Sequence, residues 1–339
     1  MRRILVVASL LLLSSASSAS SASAADLLPE RGTVRYEPAS DESLVAERFQ
    51  LAAHTFDYEL RPLGVPTENF QISELTFPSP VRTPHEKNNT VHCEYFRPAS
   101  GGGDNEKMPA VIVLHILGGD FPLSRMFCNA LAQKGIAALF VKMPYYGPRR
   151  DPMVSRRMVS PDPKETVEGM TQAVLDIRCA AAWLAAREEI DAKRLGIFGI
   201  SLGGITGALA ATAEPRLSSV CLLLAGGDLG KVAWESKELA TIRKRWLSGG
   251  GTPEEYVKAL AEIDPVRYAK NVQGRRILLM NAKDDEVIPR VCTEALWESL
   301  GKPPIHWFSG GHYSCIWHLP VALTKVQVFF GESGDGIDQ

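Results

Sequence analysis

The sequence predicts an α/β protein: a mostly parallel central sheet with helices on both faces and an antiparallel N-terminal hairpin. Three observations carry this. Short apolar runs such as Ala110–Leu114 (AVIVL), Ile136–Val141 and Ser218–Leu224 recur along the chain, as strands buried on both faces do. Helical patterns separate them, which implies right-handed crossovers. Before the first run lie two strand-like stretches, Phe70–Phe77 and Thr90–Phe96, joined by a loop holding Pro78, Pro80 and Pro84, which reads as a hairpin with a long connection.

The elements follow in order. Arg2 and Arg3 precede an apolar run from Ile4 to Leu13, and a Ser/Ala stretch ends at Ala24-Ala25. A charged start, a short apolar core and small residues form a secretory signal peptide over residues 1–25. The run is shorter than the roughly 20 residues that span a bilayer, so an exported protein without a membrane span is expected, secreted or periplasmic. Residues 26–69 read as a helical preface, on the strength of Leu44, Val45, Phe49, Leu51, Ala52 and Phe56 between Ser40 and Leu60. Residues 70–331 form the main domain. Gly101-Gly102-Gly103-Asp104 is a surface turn. Leu123–Gln133 is a helix, Val167–Arg187 a long one, Leu195–Gly199 a strand and Leu202–Thr212 a small-residue helix. An insertion at 228–273 carries helical pieces at Lys237–Trp246 and Pro253–Ala261 and could act as a lid. Arg276–Met280 and Ile305–Phe308 are strands, Val291–Leu300 and Ile316–Phe330 helices, and 332–339 a tail.

Composition narrows the function. Among 339 residues, 37 are Lys or Arg and 39 Asp or Glu, so no basic excess exists to neutralise nucleic-acid phosphates. Losing Arg2 and Arg3 with the leader leaves 35 basic residues against 39 acidic ones. Six cysteines are too few for a disulfide scaffold in a chain of this size. Cys179 and Cys221 sit in apolar or Ala-rich stretches and read as buried thiols, while Cys292 and Cys315 are the pair that could form a bridge. Asn88-Asn89-Thr90 is a glycosylation sequon, meaningful in a eukaryotic secretory pathway. No H-E-x-x-H occurs, no Cys/His pair has zinc spacing, and Gly101-Gly102-Gly103 is not followed by G-K-S/T, so neither a metal site nor a nucleotide loop is expected.

The chemistry concentrates at Gly199-Ile200-Ser201-Leu202-Gly203-Gly204, between a strand and a helix. G-x-S-x-G in that setting is a nucleophile elbow: a strained turn lifts the serine hydroxyl out of the sheet at a helix N-terminus. A serine needs a base, and the base needs a carboxylate to fix its tautomer. Downstream of Ser201 the histidines are His306, His312 and His318. His306 lies within a strand pattern and His318 in the closing helix, whereas His312 follows Gly310-Gly311 on a loop just past a strand. For the acid, Asp284, Asp285 and Glu286 compete after the Arg276–Met280 strand, with Asp228 as a further alternative. An oxyanion hole would use the amide of Leu202 and one from His115-Ile116-Leu117-Gly118-Gly119, with Leu117 first and Ile116 second. His115 itself reads as structural. Tyr145, Tyr146 and Arg149, after the Ile136–Val141 strand, are positioned to line a substrate site, where an arginine would hold a carboxylate.

With these motifs the chain resembles the α/β-hydrolase superfamily from Phe70 to Phe330. The His115–Gly119 loop, the G-I-S-L-G-G elbow, the D-x-x-x-P turn from Asp285 to Pro289 and Gly-Gly-His at His312 resemble its dienelactone-hydrolase and acetyl-xylan-esterase-like branch. In that branch the acid stands four residues before the proline, which maps to Asp285. The resemblance implies a cofactor-free serine hydrolase of carboxylic esters, small or carried on carbohydrate, with nucleophile Ser201, acid Asp285, base His312 and oxyanion amides of Leu117 and Leu202. The sequence departs from the pattern at Ile116, where glycine is usual, and at Ser201, where dienelactone hydrolases carry cysteine. Two other readings compete. One is a peptidase of the prolyl-oligopeptidase kind, disfavoured because no propeller precedes the hydrolase. The other is a non-catalytic binding protein on the same scaffold, disfavoured by the complete Ser-Asp-His set.

Overall fold

The computed structural model describes residues 28–99 and 107–332. The expected signal peptide, the glycine turn at 101–104 and all of the expected tail except Glu332 lie outside the described residues. One ten-stranded sheet organises the rest, in the order β1-β2-β3-β4-β6-β5-β7-β8-β9-β10. Its parallel part is β5 (Met108–Leu114), β6 (Ala137–Lys142), β7 (Ile190–Ile200), β8 (Leu217–Leu223), β9 (Arg276–Ala282) and β10 (Ile305–Phe308). Every residue of β5 and β6 is buried, which is why these strands read as unbroken apolar runs rather than as alternations.

Two cores result, one on each face. Ile112 and Ile197 point into the first, with α2 (Pro163–Ala185), α3 (Leu202–Ala213) and α8 (Arg290–Ser299). Val113 and Phe198 point into the second, with α1 (Phe121–Ala132) and α9 (Leu319–Gly331). The period of two along each strand makes this division. The ring centroids of Phe127 and Phe198, 4.6 Å apart, join α1 to β7. The closing helix begins three residues later than expected, after a 3-10 turn at Ser314–His318, because Pro320 sets its first turn.

The N-terminal region corrects the expectation of a helical preface at 26–69. It contains β1 (Glu30–Tyr36), two 3-10 turns at Glu42–Leu44 and Glu47–Phe49, and β2 (His54–Pro62). Leu44, Val45 and Phe49 belong to the turns, while Phe56 and Leu60 alternate on the buried side of a strand. The helical pattern joined apolar residues of separate elements. Together β1, β2, β3 (Phe70–Pro78) and β4 (Thr90–Pro98) form an antiparallel meander whose last strand pairs antiparallel with β6. The expected hairpin is present, with Phe77 opposite Val91, but it lies inside the sheet and β1 takes the edge. Arg178 of α2, fully buried, holds the 3-10 segment by binding the Glu42 carboxylate and the Phe49 carbonyl.

Between β8 and β9 the insertion folds as α4 (Leu229–Glu235), α5 (Ala240–Ser248), α6 (Pro253–Leu260) and α7 (Pro265–Tyr268). A reciprocal Thr252/Glu255 capping box starts α6.

Three further expectations change. The six cysteines are free and buried; Cys292 packs in the first core and Cys315 in the second, so the sheet separates the pair expected to bridge. Asn88 of the sequon is fully buried, donating to Gln172 Oε1 (2.7 Å) and accepting from the Tyr145 amide (2.9 Å), so it is closed to a glycan. Arg149 is buried as well. Its Nη1 lies 2.8 Å from Asp176 Oδ2, a Coulombic pairing without hydrogen-bond alignment, and its Nη2 donates to the Asn88 carbonyl at 2.8 Å. Ser79 donates to the other Asp176 oxygen at 2.6 Å. Burial pushes the Asp176 carboxyl up despite Arg149 and Ser79 holding it down. Arg149 is thus a bolt between α2, β6 and the β3–β4 loop, not a substrate ligand.

Arg149→Met should therefore destabilise by about 3–5 kcal/mol, because it strands a buried carboxylate. Arg149→Met/Asp176→Leu should recover most of that loss in a urea titration.

Candidate active site

Ser201 stands between the end of β7 and the start of α3 with φ 54° and ψ −117°. That strained conformation is held by its amide, which donates to the Leu223 carbonyl of β8 at 2.8 Å, and by its carbonyl, which accepts from Ile205 at 2.9 Å. The turn is possible only with glycines beside it. A Cβ on Gly199 would sit 2.1 Å from the Gly203 carbonyl oxygen, and one on Gly203 would sit 2.6 Å from that of His115. The second approach brings the end of β5 against the elbow.

The sheet delivers the partners. Past β9, Asp285 is buried and its Oδ1 accepts from the amides of Val287 (2.8 Å) and Ile288 (2.7 Å). Past β10, His312 Nδ1 lies 2.8 Å from Asp285 Oδ2 and 3.0 Å from Oδ1, while its Nε2 lies 3.0 Å from Ser201 Oγ. These partners assign the tautomer: Nδ1–H donates to the carboxylate, and Nε2 accepts from the serine hydroxyl. The three residues expected to converge do so.

The neighbouring acids divide. Asp284 is exposed. Glu286 accepts the His312 amide at 2.9 Å; burial works to raise its carboxyl, but the amide bond prevails and holds it below the usual range. Glu286 fixes the backbone of His312, a role the sequence did not disclose, although its place beside Asp285 was a signal. Asp228 instead caps α4 by accepting from Lys231. His306 packs against Phe308, and His318 stacks on Phe308 and bonds the Ser309 carbonyl.

Leu117 and Leu202 both line the cavity at Ser201. Leu202 opens α3, where amides have no intrahelical acceptor, and among the described residues neither the Leu117 nor the Leu202 amide meets one. The Leu117 loop is braced from behind. His115, fully buried, accepts the Met143 amide on Nε2 (3.1 Å) and donates from Nδ1 to the Ile116 carbonyl (2.8 Å). The Tyr146 ring lies 4.4 Å from the His115 ring, and its hydroxyl donates to the Leu117 carbonyl at 2.8 Å. Tyr146 therefore positions the loop from outside the cavity. Tyr145 is buried with φ 65°, beneath the Arg156 guanidinium. Neither tyrosine lines this cavity, nor does Arg149. The lining comes instead from α2, α3 and the insertion. Leu229, Val232 and Ala233, then Tyr256, Leu260 and Ile263, supply much of it, at the spacing of inward helix faces.

Burial pushes the His115 imidazole down to about 4. The unfolded chain then binds a proton between pH 6.5 and 4 that the folded chain refuses, so stability falls as pH drops through that window. His115→Asn should have a shallower fall than wild type in urea unfolding at pH 7.5 and 5.0.

Comparison with known proteins agrees with this architecture. The sequence matches the prolyl oligopeptidase family over residues 170–304 and the family described as alpha/beta hydrolase domain containing 18 over residues 65–233. An uncharacterized protein of Mycobacterium tuberculosis is 29% identical over 208 residues, covering 59% of this chain and 47% of that protein; the match spans about half the relative's length. Acetyl xylan esterase 1 of Thermoanaerobacterium superposes with a TM-score of 0.63 at 20% identity, over 80% of this chain and 87% of that one. The acetyl xylan esterase of Paenibacillus sp. R4 does so at 0.64 and 18%, over 87% and 97%. The likeness in sheet and crossovers, with the two family matches spanning residues 65–304, gives the conclusion: the chain belongs to the α/β-hydrolase superfamily.

Proposed function

We propose that the protein is an exported serine hydrolase that cleaves carboxylic esters through an acyl-enzyme. One observation carries this reading: the unbroken contact from Asp285 through His312 to Ser201, at 2.8 and 3.0 Å, beside two amides with no internal acceptor. As Ser201 Oγ bonds to the ester carbonyl carbon, its proton passes to His312 Nε2, and Asp285 stabilises the imidazolium. The carbonyl oxygen takes the negative charge and the Leu117 and Leu202 amides receive it. His312 then gives its proton to the departing alkoxide as the carbon–oxygen bond breaks. Water, deprotonated by the same imidazole, repeats the sequence on the acyl-enzyme and frees the acid.

Export rests on the Arg2-Arg3 start and the small-residue end at Ala24-Ala25. The acetyl xylan esterases among the similar structures make an acylated carbohydrate a reasonable ester to test. A second reading, a peptidase, is favoured by the prolyl oligopeptidase match, whose span includes Ser201 and Asp285. Faster cleavage of aminoacyl amides than of short esters would favour it.

Ser201→Ala should fold, fail to label with a fluorophosphonate and lose p-nitrophenyl acetate hydrolysis; retained turnover would overturn the proposal. Asp285→Asn should keep KM near wild type and lower kcat on the order of 10⁴-fold, through the wrong tautomer of the base.

A further inference from the structure

The cavity beside Ser201 has a volume of about 90 Å³. At about 10–15 Å³ of such space per water-sized group, that is room for roughly six to nine non-hydrogen atoms. Its walls are mostly aliphatic, with Ile205 of α3, Leu229 and Val232 of α4, Leu260 of α6, and Val287 and Ile288 behind the acid. His312 is absent from this lining. Since His312 protonates the leaving oxygen, the alcohol lies on its side, and the cavity receives the acyl part.

The polar groups in the lining are few, and apart from the nucleophile all but one are engaged. Thr166 Oγ1 accepts from the Ser160 amide at 3.0 Å. Tyr256 donates to the Ser160 carbonyl at 3.3 Å. Glu238, exposed, accepts from the Tyr313 hydroxyl, joining the insertion to the loop that carries His312. The exception is Ser236, the residue that ends α4. Its backbone is fixed on both sides, by its own amide on Val232 (3.0 Å) and by Arg243 on its carbonyl (2.6 Å). Its side chain is fully buried and its Oγ meets no partner. A buried hydroxyl without a partner costs stability, and this one borders the space the acyl group would fill.

We infer that the acyl site selects a short, uncharged acyl group of about four carbons bearing one hydroxyl, oxo or ether oxygen, which pairs with Ser236 Oγ while the aliphatic wall takes the carbons. The cavity size sets the length, and the unpartnered hydroxyl sets the oxygen. No Lys, Arg or His is in the lining, and its charged residue, Glu238, is acidic, so a carboxylate-bearing chain is disfavoured. This inference rests on the ester-hydrolase reading and adds the acyl specificity to it.

The test compares p-nitrophenyl esters of butyrate, 3-hydroxybutyrate, 4-methoxybutyrate, hemisuccinate and decanoate on wild type and Ser236→Ala. Wild type should favour one of the two oxygenated chains over butyrate by about tenfold in kcat/KM, the yield of one hydrogen bond to a hydroxyl otherwise left unpaired. Hemisuccinate and decanoate should be poorer than butyrate. Ser236→Ala should bring the oxygenated-to-plain ratio near one, with a melting temperature no lower than wild type. An unaltered ratio in Ser236→Ala, or a wild type that favours butyrate or decanoate, would overturn the acyl assignment while fluorophosphonate labelling leaves the hydrolase reading intact. Absence of both labelling and turnover would overturn the two together.

Discussion

The close backbone approach at the elbow governs this molecule. Strand β7 can turn into α3 at Ser201 only where residues 199 and 203 lack side chains, because the carbonyls of Gly203 and His115 occupy the space a Cβ would take. The turn places Ser201 at positive φ, a strain of about 1–3 kcal/mol, and the Leu223 and Ile205 hydrogen bonds hold it there. The same approach brings the end of β5 alongside the nucleophile. With β6 on one side of β5 and β7 on the other, the connections leaving the strand ends diverge there and open a crevice. The exposed Ser201 and the His115–Gly119 loop beside it both follow from that one packing constraint.

Around that point charge is arranged economically. Three consecutive acids, Asp284, Asp285 and Glu286, leave β9, and the turn sends them in different directions. One reaches solvent, one reaches the imidazole and one holds the backbone amide of the same histidine. His312 is thus fixed at ring and main chain together, so a loop histidine keeps little rotamer or backbone freedom to lose. The oxyanion loop is braced by a neutral imidazole and a phenol rather than by an ion pair. Burial pushes the His115 imidazole well below its usual range, so near neutral pH the brace behind the loop carries no charge.

Much of this was legible in the sequence because the relevant signals are local. Strands buried on both faces appear as continuous apolar runs, and Ile305–Phe308 appears with its observed bounds. The elbow, the D-x-x-x-P turn and the Gly-Gly-His loop each encode a backbone conformation. What stayed hidden depends on direction or on distant partners. Phe49 and Phe56 looked like one helix face because spacing alone does not reveal that a turn separates them. Arg149 lies close in sequence to strand β6, yet Asp176, 27 residues on, is what draws it inward. Cys292 and Cys315 follow neighbouring strands but leave on opposite faces of the sheet, a matter of crossover side that cysteine spacing does not carry.

The distribution of roles between sheet and insertion has an energetic logic. Ser201 is fixed by hydrogen bonds to Leu223 at the end of β8 and to Ile205 in α3, Asp285 by the Val287 and Ile288 amides, and His312 by Asp285 and Glu286, all outside the insertion. The insertion contributes walls: apolar faces of α4 and α6 that need a surface to cover, and find it in α2 and α3 above the nucleophile. Those faces would pack more favourably without a buried, unpartnered hydroxyl among them. Ser236 retains one where nothing in α4, α5 or α6 satisfies it. A scaffold optimised for stability alone would place alanine there. A site shaped for an oxygen-bearing acyl group holds the hydroxyl in reserve, and its pairing is completed by the molecule that the nucleophile attacks.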